Sequence, residues 1–167
     1  MRIIVMADSH GAGSAVMKVV EKNIYTADLF IHLGDGEEDM LSVLPEYPNI
    51  NLIQIKGNCD HGSASPVLQI IDTVPGPEYK TIKVLAVHGH LQNVSHGTDE
   101  LLLLAHENKC DIVLFGHTHC RCDRKEDGVL LINPGSCSVP RDGEPPSYAC
   151  IDITEWGLIT EIYDLPV

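Results

Sequence analysis

Five short apolar runs, at residues 2–7, 29–33, 51–55, 82–87 and 112–115, all lead into the same kind of punctuation. They open onto Asp8-Ser9-His10-Gly11, Gly34-Asp35, Gly57-Asn58-Cys59-Asp60, His88-Gly89-His90 and Gly116-His117-Thr118-His119. Runs of this length, rich in Ile, Val and Leu, read as buried strands. Helices are expected between them at 14–22, 39–44 and 98–108. The first has Val16, Val19 and Val20 on one face, and the last has Asp99 and Glu100 in its first turn, where the helix dipole favours acidic side chains. Strands alternating with helices call for an α/β fold. In such sheets binding residues gather beyond the carboxyl ends of the strands, so these five polar endings are expected to share one place.

The remaining strand-like runs, 69–73, 129–133, 148–153 and 158–163, have few helical breaks between them. Thr154-Glu155-Trp156-Gly157 has the length of a hairpin loop. The pattern therefore predicts a mixed sheet, or two sheets packed together, with antiparallel strands late in the chain. Residues 140–146, rich in Pro, Gly and Asp, form the longest expected exposed loop. At 167 residues, 1–167 is expected to be a single domain.

The formal charge is −13, and no basic stripe occurs. Such a surface repels a phosphate backbone, which argues against a broad nucleic-acid interface. A phosphate ligand would need a local positive centre that the side chains do not supply, which points to bound cations. The six cysteines include no CxxC pair and are expected to be reduced thiols, mostly core filling, in a cytoplasmic protein. Met1 leads straight into the first apolar run, so no leader is expected, and the greasy stretch at 101–105 is too short to span a bilayer. The sequence leaves homo-oligomerisation open.

Asp8, His10, Asp35, Asn58, His88, His117 and His119 offer carboxylate, amide and imidazole donors without a thiolate. That mixture suits Mn²⁺, Fe²⁺, Ni²⁺ or Zn²⁺. Seven donors are too many for one catalytic ion that keeps a position open, but they fit two ions if one carboxylate bridges. Asp8 and His10, at i and i+2, point the same way if the backbone is extended. Taken singly, a strand-end Asp is usually a turn or a cap. His32, His61, His96 and His106 read as surface or satisfied core histidines. The ordered set of five carries the argument.

That ordered set closely resembles the calcineurin-like metallophosphoesterases, and Asn133-Pro134-Gly135-Ser136 looks like a segment of their small prokaryotic phosphodiesterase branch. The resemblance implies two β-sheets packed face to face and flanked by helices. It implies that Asp8, His10, Asp35 and His119 hold one divalent ion, with Asp35, Asn58, His88 and His117 holding the other and Asp35 bridging. Mn²⁺ is the first expectation for both ions. A hydroxide shared by the ions would attack a phosphate ester, most readily a small-molecule diester. The candidate catalytic residues are Asp35, Asn58 and His90.

Many family members carry His where this chain has Cys59, and a thiol is a poor proton donor by comparison. His90 is the candidate helper for the leaving group, with an orienting role for His88 as its alternative. Two other readings compete. The superfamily includes a protein-sorting subunit that keeps the fold as a binding scaffold with its metal residues partly lost. A zinc amide hydrolase would use a similar Asp/His set, but the Gly-Asn motif argues against it because an amide oxygen is an unusual zinc ligand.

Overall fold

The computed structural model describes residues 1–75 and 81–165. The strands are β1 (Arg2–Met6), β2 (Leu29–His32), β3 (Leu52–Gln54), β4 (Leu68–Pro75), β5 (Thr81–Val87), β6 (Ile112–Leu114), β7 (Arg121–Glu126), β8 (Val129–Pro134), β9 (Ser147–Thr154) and β10 (Gly157–Asp164). Helices α1 (Gly13–Asn23), α2 (Glu37–Leu41) and α3 (Asp99–Asn108) lie between them, and a 3₁₀ turn spans His90–Gln92. One sheet runs β10-β9-β1-β2-β3 and the other β4-β5-β6-β8-β7. Each is mixed: β1, β2 and β3 are parallel, as are β5, β6 and β8, while the pairings to β9, β4 and β7 are antiparallel.

Side-chain alternation sorts β1 between two cores. Ile3, Val5 and Ala7 pack with Ile31, Leu33, Val84, Ala86, Ile112 and Leu114 between the sheets. Ile4 and Met6 point the other way, onto Val16, Val19 and Val20 of α1 and Met40 of α2. On the second sheet Leu85, Val87 and Val113 meet Leu101, Leu102 and Ala105 of α3. The order is helix, sheet, sheet, helix. Both faces of the central strands are covered, which is why they read as continuous apolar runs.

The expected helices are all present. That expected at 39–44 starts earlier, at Glu37, so that Glu37, Glu38 and Asp39 occupy its first turn. The late hairpin is tighter than its loop length implied, since Thr154 pairs with Gly157 and leaves only Glu155 and Trp156 to turn. Strand β7 lies outside the expected apolar runs. Arg-Cys-Asp-Arg-Lys-Glu lies at a sheet edge, where polar side chains guard against pairing with another chain. Its turn into β8, Asp127-Gly128, has positive φ at both residues (48° and 84°), the geometry that Asp-Gly favours. All six cysteines are free thiols. Among the described residues no helix is long and apolar enough to cross a membrane.

Candidate metal centre

Parallel pairing brings the carboxyl ends of β1 and β2 together, and likewise those of β5 and β6. Hydrogen bonds then join the loops that follow. Asp8 N–H donates to Gly34 O (3.0 Å), His10 N–H to Asp35 O (3.0 Å), and Gly116 N–H to His88 O (2.9 Å). His117 N–H crosses from one sheet to the other to reach Asp8 Oδ2 (2.9 Å). Glycine is needed where these loops touch. A Cβ at Gly57 would lie 2.1 Å from Asp35 Oδ1, and one at Gly116 3.0 Å from Asp8 Oδ2.

The extended backbone expected at Asp8 and His10 is not found. Their φ angles are 55° and 45°, and Asp35, His117 and His119 are also left-handed at 55°, 68° and 59°. An extended segment would carry the chain past the centre, whereas these tight turns let backbone N–H groups and side chains of one loop face the same point. A left-handed non-glycine residue costs about 1–3 kcal/mol, and such strain concentrates at functional sites. Five of the seven candidate ligands carry it.

Each carboxylate uses one oxygen as an anchor and presents the other. Asp8 Oδ2 holds the His117 N–H, while Oδ1 is buried without a hydrogen-bond partner, 3.5 Å from His119 Nε2 and 4.0 Å from His88 Nε2. Asp35 Oδ1 accepts the Cys59 N–H (2.7 Å), and its Oδ2 lies 3.5 Å from His88 Nε2 and 3.7 Å from His10 Nε2. The imidazoles are held in the same manner. His88 Nδ1–H donates to Leu33 O (2.7 Å) and His119 Nδ1–H to Val139 O (2.8 Å). Those bonds orient each ring and leave Nε2 as the atom facing inward. His10 Nε2 and His119 Nε2 are 3.2 Å apart.

The charges in the cluster are unevenly matched. Burial pushes the Asp8 carboxyl up to about 7, against the opposing pull of His88. Burial also works against Asp35, but hydrogen bonds from His88 and the Cys59 backbone outweigh it and hold this carboxyl well below the usual range. At His88 burial opposes the imidazolium, yet the two carboxylates raise its pKa. Burial lowers His117, His119 and His90. A divalent cation would meet what this arrangement lacks: a positive charge for two crowded carboxylates and a partner for the orphaned Asp8 oxygen.

Donor atoms mutually within 4.8 Å form the sets Asp8–His10–His119, Asp8–Asp35–His88 and His10–Asp35–Cys59. Asn58 borders the second set, its Oδ1 3.2 Å from His88 Nε2. His117 joins none of the three; its ring stands edge-on to His88 with centroids 5.1 Å apart. His90 stands behind, 5.3 Å from the His88 ring, with Nδ1 buried and without a partner. Cys59 is exposed, and a hydrogen bond to Asp35 together with burial raises its thiol to about 11, so it is neutral near pH 7. His61, His96 and His106 are exposed, as expected.

His32 is a satisfied core histidine. Nδ1 accepts the Gly34 N–H, and Nε2 faces Ser9 Oγ at 3.2 Å, which itself donates to Asp39 Oδ2 at 2.6 Å. The neutral Nε2–H tautomer completes that chain, and burial lowers the pKa of His32 to about 4.

Sequence reasoning missed the residues that hold the loops. Asp60 accepts backbone N–H groups from Asp35, Gly36, Glu37 and Gly57 at 2.8–3.0 Å. Burial opposes its charge, but those four donors win and lower its pKa. Ser136 Oγ–H donates to Asp8 O (2.6 Å), and Asn133 Nδ2–H to Gly116 O (2.9 Å). Asp60 closes the Gly57-Asn58-Cys59-Asp60 motif, but a backbone-binding carboxylate leaves no spacing signature.

Comparison with known proteins shows the family. The family described as the calcineurin-like phosphoesterase superfamily domain matches residues 1–155. A probable metallophosphoesterase of Bacillus subtilis, YsnB, is 30% identical over 165 residues, covering 98% of this chain and 91% of that protein. The phosphodiesterase MJ0936 of Methanocaldococcus jannaschii is 32% identical over 149 residues, covering 82% of this chain and 84% of its own. A conserved uncharacterised Streptococcus pneumoniae protein, described as a predicted phosphoesterase, superposes with a TM-score of 0.76 at 27% identity over 97% of both chains. Vacuolar Protein Sorting 29 of Cryptosporidium parvum superposes with a TM-score of 0.77 at 17% identity, over 99% of this chain and 91% of its own, a likeness of fold alone. The chain belongs to the calcineurin-like phosphoesterase superfamily.

Proposed function

We propose that this chain is a phosphodiesterase that works with two divalent metal ions. Asp8, His10, Asp35 and His119 would hold one ion, and Asp35, Asn58, His88 and His117 the other. Mn²⁺ is the first candidate, with Fe²⁺, Ni²⁺ and Zn²⁺ compatible with the same oxygen and nitrogen donors. The observation that carries this reading is the convergence of four donor atoms, each on a side chain anchored to the backbone through its other polar atom. Nε2 of His88 and of His119 face inward because their Nδ1–H groups are tied to backbone carbonyls. Asp8 Oδ1 and Asp35 Oδ2 face the same point because their partner oxygens are tied to backbone N–H groups.

When bound, such ions supply an activated water and neutralise charge on the phosphoryl oxygens. The chain's own part is to hold the donors rigidly. Asp35, whose Oδ2 lies 3.7 Å from His10 Nε2 and 3.5 Å from His88 Nε2, would be the residue shared by the two ions. His90 is the candidate for protonating or orienting the departing group, since its Nδ1 is buried near His88 and His117 with no partner. Cys59 is neutral and contributes no charge to that step. The scaffold alternative rests on fold likeness, whereas the full set of seven donors favours hydrolysis. Its test is hydrolysis of a chromogenic aryl phosphodiester by protein stripped of metal and then reloaded with Mn²⁺. The expected result is turnover that chelator abolishes and Mn²⁺ restores; binding of Mn²⁺ without turnover of any diester or monoester would support the scaffold.

A further inference from the structure

Two clefts of opposite character border the candidate centre. One, of about 540 Å³, is lined by His10 and Asp35 and continues past Glu37, Glu38 and Asp60. The other, of about 460 Å³, is lined by Thr118, between His117 and His119, and by Arg121, Arg124 and Arg141. The chain has only four arginines and a net charge of −13, so three in one cleft mark a local exception.

The three are not equivalent. Arg121 pairs with Asp164 at 2.7 Å and Arg124 with Glu126 at 2.9 Å. The fourth arginine, Arg2, pairs with Asp152 at 2.7 Å. Arg141 is exposed, and among the described residues its guanidinium makes no ion pair or hydrogen bond. Its position is nevertheless fixed. Arg141 N–H donates to His119 O (3.0 Å), and two residues earlier Val139 O accepts the His119 Nδ1–H. Further back, Ser138 Oγ–H donates to Ser9 O (2.8 Å) and Ser136 Oγ–H to Asp8 O (2.6 Å). The segment carrying Arg141 is therefore stitched to the loops of two candidate ligands.

We propose that Arg141 is a specificity residue that receives a second anionic group, a phosphate monoester, carried on one arm of the phosphodiester substrate. The proposal rests on the hydrolase reading above and deepens it. A guanidinium without an internal carboxylate keeps its planar fork free for phosphate oxygens. An anionic arm is repelled from the cleft lined by Glu37, Glu38 and Asp60, which leaves that side for an uncharged arm. The two clefts thus give the substrate a direction.

The test compares two p-nitrophenyl phosphodiesters whose second arm is either n-butyl or 4-phosphobutyl. Wild type, Arg141→Gln and Arg141→Lys are assayed, all loaded with Mn²⁺. Wild type should favour the phosphorylated arm in kcat/KM by about 10- to 100-fold, the range of one charge-assisted pair. Arg141→Gln should erase that preference while leaving the butyl ester within about twofold, and Arg141→Lys should keep part of it. Phosphonate analogues with a P–CH₂ link in place of the scissile P–O bond are titrated calorimetrically in parallel. If neither ester is hydrolysed but the phosphorylated analogue binds more tightly in an Arg141-dependent way, the arginine site stands and the hydrolase reading falls. If both esters are hydrolysed alike and Arg141→Gln changes neither hydrolysis nor binding, the hydrolase reading stands and the arginine site is overturned.

Discussion

In the β9–β10 hairpin eight cross-strand pairs run in unbroken register from Thr154–Gly157 to Ser147–Asp164, closed by a two-residue turn. The loops after β1, β2 and β6 hold five left-handed non-glycine residues, and Asp8 Oδ1 is buried there without a partner. One region satisfies local rules with pairing and side-chain alternation. The other breaks them and is held in place by the sheets beneath. A sequence departs from local consistency chiefly where function requires it, so the contrast itself separates scaffold from site. If the strained loops exist to present donors, changes there should remove activity with little loss of folding.

The largest effect is expected for Asp35→Asn and His117→Ala. Each should lower turnover by at least about 10³-fold, the scale of losing electrostatic stabilisation at the reacting centre. Both variants should melt within about 1 kcal/mol of wild type when metal is absent, because neither side chain supports the core. Turnover and melting measured on chelator-treated and Mn²⁺-loaded protein check both halves, and near-native turnover in Asp35→Asn would contradict the bridging assignment.

A smaller, mixed effect is expected for Asp60→Ala, which removes an acceptor from four backbone N–H groups. Stranding partly buried donors costs about 1–3 kcal/mol. Displacing the Asp35 loop should lower activity by roughly 10- to 100-fold, as for other residues that orient ligands. Asp60→Asn, which keeps an oxygen acceptor, should recover part of both. Equal activity in Asp60→Ala and wild type would mean that the loop holds its shape without this carboxylate.

How much of this was legible follows from the physics of each signal. Buried parallel strands leave continuous apolar runs, so β1, β2, β5 and β6 could be read directly. The ligand types at their ends could be read as well, because metal chemistry restricts donors to a few residues. β7 could not, since an exposed edge strand has no apolar periodicity, although Asp127-Gly128 was an available turn signal. The roles of Asp60, Ser136 and Asn133 were hidden because a side chain that binds distant backbone groups has no fixed spacing. The left-handed backbone at Asp8 and His10 was missed for a related reason: tertiary hydrogen bonds impose it against local preference.

The smallest expected effect concerns His32, on the core side of the same loops. Its pKa falls from 6.5 to about 4 in the folded chain. Between those values the unfolded chain binds the proton and the folded one does not. Stability is therefore complete above about pH 6.5, declines as pH falls and levels off below about pH 4, with a limiting slope of about 1.4 kcal/mol per pH unit. Equilibrium unfolding of wild type and His32→Gln, which can still donate and accept, should show a shallower decline in the variant across that window. Identical slopes would mean that His32 accepts a proton in place and does not report on the Ser9–Asp39 chain.

The most direct measurement is the anomalous difference density of crystals grown with Mn²⁺ and recorded near the manganese edge. The account predicts two peaks per chain with Asp35 Oδ2 between them, one bounded by Asp8, His10 and His119, the other by Asn58, His88 and His117. A single peak, or density away from Asp35, would contradict it.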